Sequence, residues 1–169
     1  WFILLMGLWD AEIHAANRPK NQGAWKAYRQ AMKKAGEGRH DAAGEALKRI
    51  IERYPSFFPA YLKLEEMYRY GKTPEKTLKY FRRLAEKRGE NPFLLHARGR
   101  VYLQQKKYGE AYRLFALAIR MDSEYSAVYP DFIRADRTLE EAEATLLQLL
   151  ERKPTTAAVH LGLAQVYGM

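Results

Sequence analysis

At 169 residues, 47% hydrophobic and 29% charged, the chain can bury a core of its own and falls outside the disordered class. With no cysteine it can form no disulfide, thiolate metal site or cysteine nucleophile. The formal charge of +9 sits at the front: residues 1–85 hold 17 Lys and Arg against 9 Asp and Glu, while residues 86–169 hold 12 against 11. A composition rich in Ala, Leu, Lys, Arg, Glu and Tyr suits helices, so an all-α fold is expected.

The chain begins with an apolar run, Trp1 to Trp9, about half the roughly 20 residues a membrane-spanning helix needs. No membrane span is therefore expected within the chain. The run lacks a basic flank of the signal-peptide type, although Ile13-His14-Ala15 is a tolerable cleavage context. Leu5, Leu8, Trp9, Ile13 and Ala16 fall at helical spacing, which predicts a docking amphipathic helix over residues 1–17. Starting at Trp, the sequence reads as processed or truncated, and the compartment stays open: cytoplasmic, or exported if Trp1–Trp9 ends a signal sequence. Residues 18–23 read as a linker.

From Ala24 onward one pattern recurs. Small or short side chains stand at Ala43, Thr77, Ala111 and Ala142, bulky apolar ones at Leu47, Phe81, Phe115 and Leu146, and helix-ending residues at Pro55, Gly89, Ser123 and Pro154. The first set is spaced by 34, 34 and 31 residues. Apolar residues recurring at three and four make each unit two helices with a breaker between them. In the second unit a helix from about Pro59 to Tyr70 ends at Gly71, Thr73 is a candidate N-cap, and Pro74 fits the first turn of the next helix. In the fourth, Thr138-x-x-Glu141 reads as a capping box, and the three missing residues must come from the preceding helix or its turn.

Leu95 to Tyr102, followed by Tyr108-Gly109-Glu110-Ala111, Phe115 and Ala118, resembles the tetratricopeptide-repeat family, whose Gly, Tyr, Ala, Phe, Ala series these residues carry. Leu163-Ala164-x-x-Tyr167 repeats the first half, and Pro55 and Pro154 stand where that family places its closing proline. The resemblance covers residues 24–169, as repeats of about 24–57, 58–91, 92–125 and 126–156 and a half-repeat over 157–169. It implies a right-handed superhelical solenoid of antiparallel helix pairs, with about four repeats and a terminal unpaired helix. The first unit fits only with about two extra residues at Gly36-Glu37-Gly38, and the fourth has Ile133 and Asp136 where the family favours Gly or Ala and Tyr.

The family likeness further implies a partner-binding groove lined by first helices. Its matching positions are Leu62, Glu66, Arg69, Tyr70, His96, Arg100, Gln104 and Arg134, and the three arginines point to an acidic or C-terminal ligand. Leu62, Glu66, Ala97, Ala127 and Asp131 replace the lysine and asparagine set with which family members clamp chaperone carboxyl termini, so chaperone binding is not expected. The last helix has no second helix after it, which makes His160, Leu163, Ala164 and Tyr167 candidates for an open-end interface. That face would be completed by a missing next helix, by a different protein or by a second copy, for which Leu5, Leu8, Trp9 and Ile13 are a candidate mate, unless that segment folds back into its own groove.

No catalytic site is expected. Gly71-Lys72-Thr73 lacks the earlier glycine of a phosphate loop, which would fall at Glu66. His14, His40, His96 and His160 are dispersed without a companion at metal-ligand spacing, so neither metal nor other cofactor is expected. His40 and His160 occupy slots the repeat fills with aromatics, which reads as packing. The stretch Lys72, Lys76, Lys79, Arg82, Arg83, Lys87 and Arg88 could attract nucleic acid, but a solvated helix face is the better reading. The sequence thus reads as a non-enzymatic protein-interaction scaffold. A head-to-tail structural subunit and a nucleic-acid-binding face remain as alternatives.

Overall fold

A computed structural model of the chain describes residues 21–71, 73–136 and 139–168. The docking segment with Leu5, Leu8, Trp9 and Ile13 lies outside them. Among the described residues the fold is all-α, of the helical-repeat solenoid class: α1 (Gln22–Gly36), α2 (His40–Arg53), α3 (Phe58–Tyr70), α4 (Pro74–Arg88), α5 (Pro92–Gln104), α6 (Tyr108–Met121), α7 (Tyr129–Ala135), α8 (Glu140–Arg152) and α9 (Ala157–Gly168). A 3-10 turn, Ser126–Val128, leads into α7.

The aligned positions of the repeat are the buried stripes of these helices. Ala43, Leu47, Ile50 and Ile51 are buried on α2, Thr77, Phe81 and Leu84 on α4, and Ala111, Phe115, Ala118 and Ile119 on α6. Each set runs at three- and four-residue steps, the spacing of one helical face. The shortened fourth unit takes its deletion from its first helix, since α7 has 7 residues where α5 has 13.

The chain divides into two compact units between Met67 and Tyr68. In the first, α1 and α2 pack as a hairpin across a turn whose Gly38 has φ 76°, a left-handed conformation that glycine adopts without a Cβ clash. Trp25, Tyr28 and Phe57 meet edge to face, with centroids 4.8 Å apart for Trp25 and Phe57 and 5.8 Å for Trp25 and Tyr28. His40, expected to pack, is exposed at the start of α2.

In the second unit α5 packs on α6, α6 on α7, and α8 on α9. The shared core includes Leu95, Phe115, Ile119, Tyr129, Phe132, Ile133, Leu146, Val159 and Leu163. Helices approach closely where a glycine faces a ring. A Cβ at Gly99 would lie 2.7 Å from Phe115 Cδ1, and one at Gly162 would lie 2.6 Å from Tyr129 Cδ1.

A tether recurs where one hairpin hands over to the next. Tyr61 donates its hydroxyl to the Pro55 carbonyl at 2.9 Å, and Tyr129 donates to the Ser123 carbonyl at 2.7 Å. His160, in the same slot, places Nε2 2.7 Å from the Pro154 carbonyl. Each bond holds a first helix to the turn before it and satisfies a carbonyl of that turn.

Two caps differ from expectation. Thr73 stands at the N-cap position of α4, but its hydroxyl donates backward to the Tyr68 carbonyl at 3.4 Å rather than capping α4. At α8 the cap position falls to Leu139, at φ 66°, and the Asp136 carboxylate accepts the Ala142 N–H at 2.7 Å. Thr138, read from the sequence as that cap, lies outside the described residues.

Gly99→Ala should destabilise the protein by about 1–3 kcal/mol through overpacking against Phe115. Gly109→Ala, whose Cβ would meet nothing within 4 Å, should be neutral or stabilising by up to about 1 kcal/mol. Urea unfolding of the two variants beside the parent checks the contrast.

Candidate functional site

Within the second unit, polar side chains from two first helices converge on one carboxylate. Asn91 caps α5, its side chain accepting the Leu94 N–H at 2.9 Å, and this fixes where His96 and Arg100 emerge one turn apart. α7 brings Asp131 and, three residues on, Arg134. His96 Nε2 lies 2.9 Å from Asp131 Oδ2, Arg100 Nη1 donates to the same oxygen at 2.7 Å, and Arg134 donates to Oδ1. On the other side of the ring, Tyr125 Oη lies 2.8 Å from His96 Nδ1.

Burial is graded across this cluster. His96 is 1% exposed, the Asp131 side chain 8%, Arg100 29% and Arg134 63%. Burial holds the His96 imidazole below its ordinary 6.5, against the opposing pull of Asp131. A neutral ring that donates Nε2–H to Asp131 and accepts the Tyr125 hydroxyl at Nδ1 satisfies every bond. Burial alone would raise the Asp131 carboxyl, but the His96 hydrogen bond and the charges of Arg100 and Arg134 hold it down to about 2. Two guanidiniums share one carboxylate, and Arg134 is the more exposed of the two.

The expected groove residues are thus only partly gathered. His96 is inside, so it holds Asp131 rather than meeting a ligand; an imidazole in a packed layer has no route to solvent. Arg100 and Arg134 do converge, on a carboxylate of their own chain. Gln104 is exposed one turn beyond Arg100. Arg69 and Tyr70 are exposed at the end of α3, the guanidinium carbon 5.1 Å from the ring centroid. Leu62 and Glu66 belong to the first unit, where Glu66 pairs with Lys63 at 3.0 Å.

At α9 one expected residue turns inward. Leu163 is 7% exposed and packs in the core, because Val159, Gly162, Leu163 and Val166 share one helical face. The exposed large residues there are Leu161, at 51%, and Tyr167, at 65%, whose hydroxyl donates to Glu143 Oε1 at 2.8 Å. Ala164 is exposed, and His160 is exposed with its ring on the Pro154 carbonyl. Among the described residues no group of three His, Cys, Asp or Glu side chains could hold a metal ion, and no helix is long and apolar enough to cross a membrane.

Comparison with known proteins bears on this layer of helices directly. The family model for the tetratricopeptide repeat matches residues 94–125, the hairpin that carries His96 and Arg100. Residues 94–125 form a tetratricopeptide repeat. The chain has the tetratricopeptide-repeat fold beyond them, as similar solved structures show. A thermophilic tetratricopeptide-repeat protein of Thermus thermophilus is 18% identical with a TM-score of 0.55, the match covering 99% of this chain and 94% of that one. A tetratricopeptide-repeat protein of Parabacteroides merdae is 16% identical with a TM-score of 0.52, over 86% of this chain and 59% of that one. A chain in the structure of Naa15/Naa10 bound to HypK is 14% identical with a TM-score of 0.55, over 86% of this chain and 22% of that one. No curated protein matches the sequence.

Asp131→Asn should cost about 2–3 kcal/mol, less than the 3–5 of a fully buried pair because Arg134 remains hydrated. The pH dependence follows from the two lowered groups. Unfolding lets His96 take up a proton below 6.5 that the folded ring refuses, so its contribution falls as the pH drops from there. Asp131 contributes above its unfolded 3.8 and loses that contribution as the pH falls toward about 2. His96→Gln should therefore lose less stability than the parent between about pH 7 and pH 5 in urea titrations.

Proposed function

We propose that the chain is a protein-interaction module that takes an acidic peptide segment on the surface of α5 and α7. Tetratricopeptide repeats generally mediate protein–protein interaction, and one similar fold belongs to a structure of Naa15/Naa10 bound to HypK. One observation carries the ligand chemistry: Arg100 and Arg134, from neighbouring first helices, are oriented by a shared carboxylate, and Arg134 is 63% exposed. A guanidinium has five N–H donors in a fixed fork, so Arg134 can bond Asp131 and still present donors outward. Holding a long side chain in place before binding removes part of the entropy cost of ordering it.

The role of Asp131 follows from this geometry. It aims the arginines and lowers the net charge, so that a ligand with two or more carboxylates competes well while a single chloride or acetate does not. His96 and Tyr125 act behind the surface, fixing the carboxylate from beneath.

Fluorescence polarisation against a peptide array with graded acidity tests the reading. Acidic peptides should bind best, and Arg134→Glu should weaken them at least about tenfold while leaving the fold intact. Equal binding of neutral and acidic peptides, or an unchanged Kd in Arg134→Glu, would contradict it.

A further inference from the structure

Two exposed helix faces of the second unit carry opposite charge. α4 holds Lys76, Lys79, Arg82, Arg83, Lys87 and Arg88 against Glu75 and Glu86, a net +4. Lys76, Lys79, Arg83 and Lys87 recur at three- and four-residue steps, so they line one side of the helix, all exposed. None of these four makes a hydrogen bond or ion pair among the described residues. α8 presents Glu140, Glu141 and Glu151 to solvent, with exposed Leu147 between them.

Helix stability does not account for this placement. Carboxylates in the first turn of α8 suit the helix dipole, but Glu151 in its last turn opposes it. Lys76 in the first turn of α4 likewise opposes the dipole. The two stripes also match in length. Lys76 to Lys87 and Glu140 to Glu151 are each eleven steps, about 16 Å of helix.

Within one copy the two faces do not pair. α4 packs on α5, α5 on α6, and Tyr112 of α6 bonds Thr145 of α8 at 3.0 Å, so two helices stand between them.

We propose that α4 of one copy docks antiparallel along α8 of a second copy. In that register Lys76 meets Glu151, Lys87 meets Glu140, and the aliphatic stems of Lys79 and Arg83 cover Leu147. Antiparallel helices also oppose their dipoles favourably. The two faces differ, so the contact is heterologous and leaves a free α4 and a free α8 at the ends, which continues into chains or closes as a ring. It uses neither Arg100 nor Arg134 and stands apart from peptide binding.

Sedimentation velocity of the full chain provides the test, with circular dichroism confirming that each variant stays helical. The parent should associate with rising concentration at about 0.1 M salt and dissociate at about 1 M, where the screening length falls from about 10 Å to about 3 Å. Lys76→Glu with Lys87→Glu, or Glu140→Lys with Glu151→Lys, should each weaken association at least about tenfold. Mixing the two reversed-charge proteins should restore it, since each then offers the other's complement. A parent that stays monomeric at low salt, reversals without effect, or a mixture that stays monomeric would overturn the proposal. So would a monomeric parent that retains poly(U) at low salt and releases it when α4 is reversed, which would assign the basic face to nucleic acid.

Discussion

A single helix hairpin cannot bury its apolar stripe, and the structure depends on how closely neighbouring helices approach to do so. Phe115 and Tyr129 occupy the space that side chains at Gly99 and Gly162 would need. Once helices are this close, polar groups between them must be satisfied by one another, because water has no room to enter. The Asp131 cluster is the result: a carboxylate in the packed layer, held by an imidazole from within and by guanidiniums from the rim. Packing thus determines where the surface charge of α5 and α7 is presented.

The tethers show the same constraint at the turns. A tyrosine or histidine six residues after a helix-ending carbonyl closes each of three joints, although the side chains differ chemically. What the position requires is a ring long enough to reach the turn and one donor at its tip. His160 meets that requirement with its Nε2–H, so its ring serves the joint even though it is solvent-exposed. The recurrence explains how a repeat with few identical residues keeps one geometry.

The repeat itself was legible because its apolar positions recur at fixed steps, and Ala43, Thr77, Ala111 and Ala142 are all buried in helices. The deletion in the fourth unit was legible as a spacing of 31, but spacing alone did not tell helix from turn, and it falls in the short α7. The pairing of His96 with Asp131 was not, since 35 residues separate them and dispersed histidines suggest no partner. A signal was present: 35 is one repeat plus one residue, which places two polar side chains of successive first helices side by side. Leu163 was misplaced because the repeat pattern marks a position as conserved in type without telling which neighbour it faces. The cap at α8 was missed because Asp136 acts from six residues before Ala142, outside the local pattern that marks a capping box.

The central claim is that Asp131 turns a packed layer into a binding surface on α5 and α7. Amide chemical shifts followed by NMR during titration with an acidic peptide test it most directly. The account predicts shifts concentrated in residues 96–104 and 129–135, and their loss in Asp131→Ala even where that variant remains folded. Shifts centred on other helices, or an undiminished response without the Asp131 carboxylate, would contradict it.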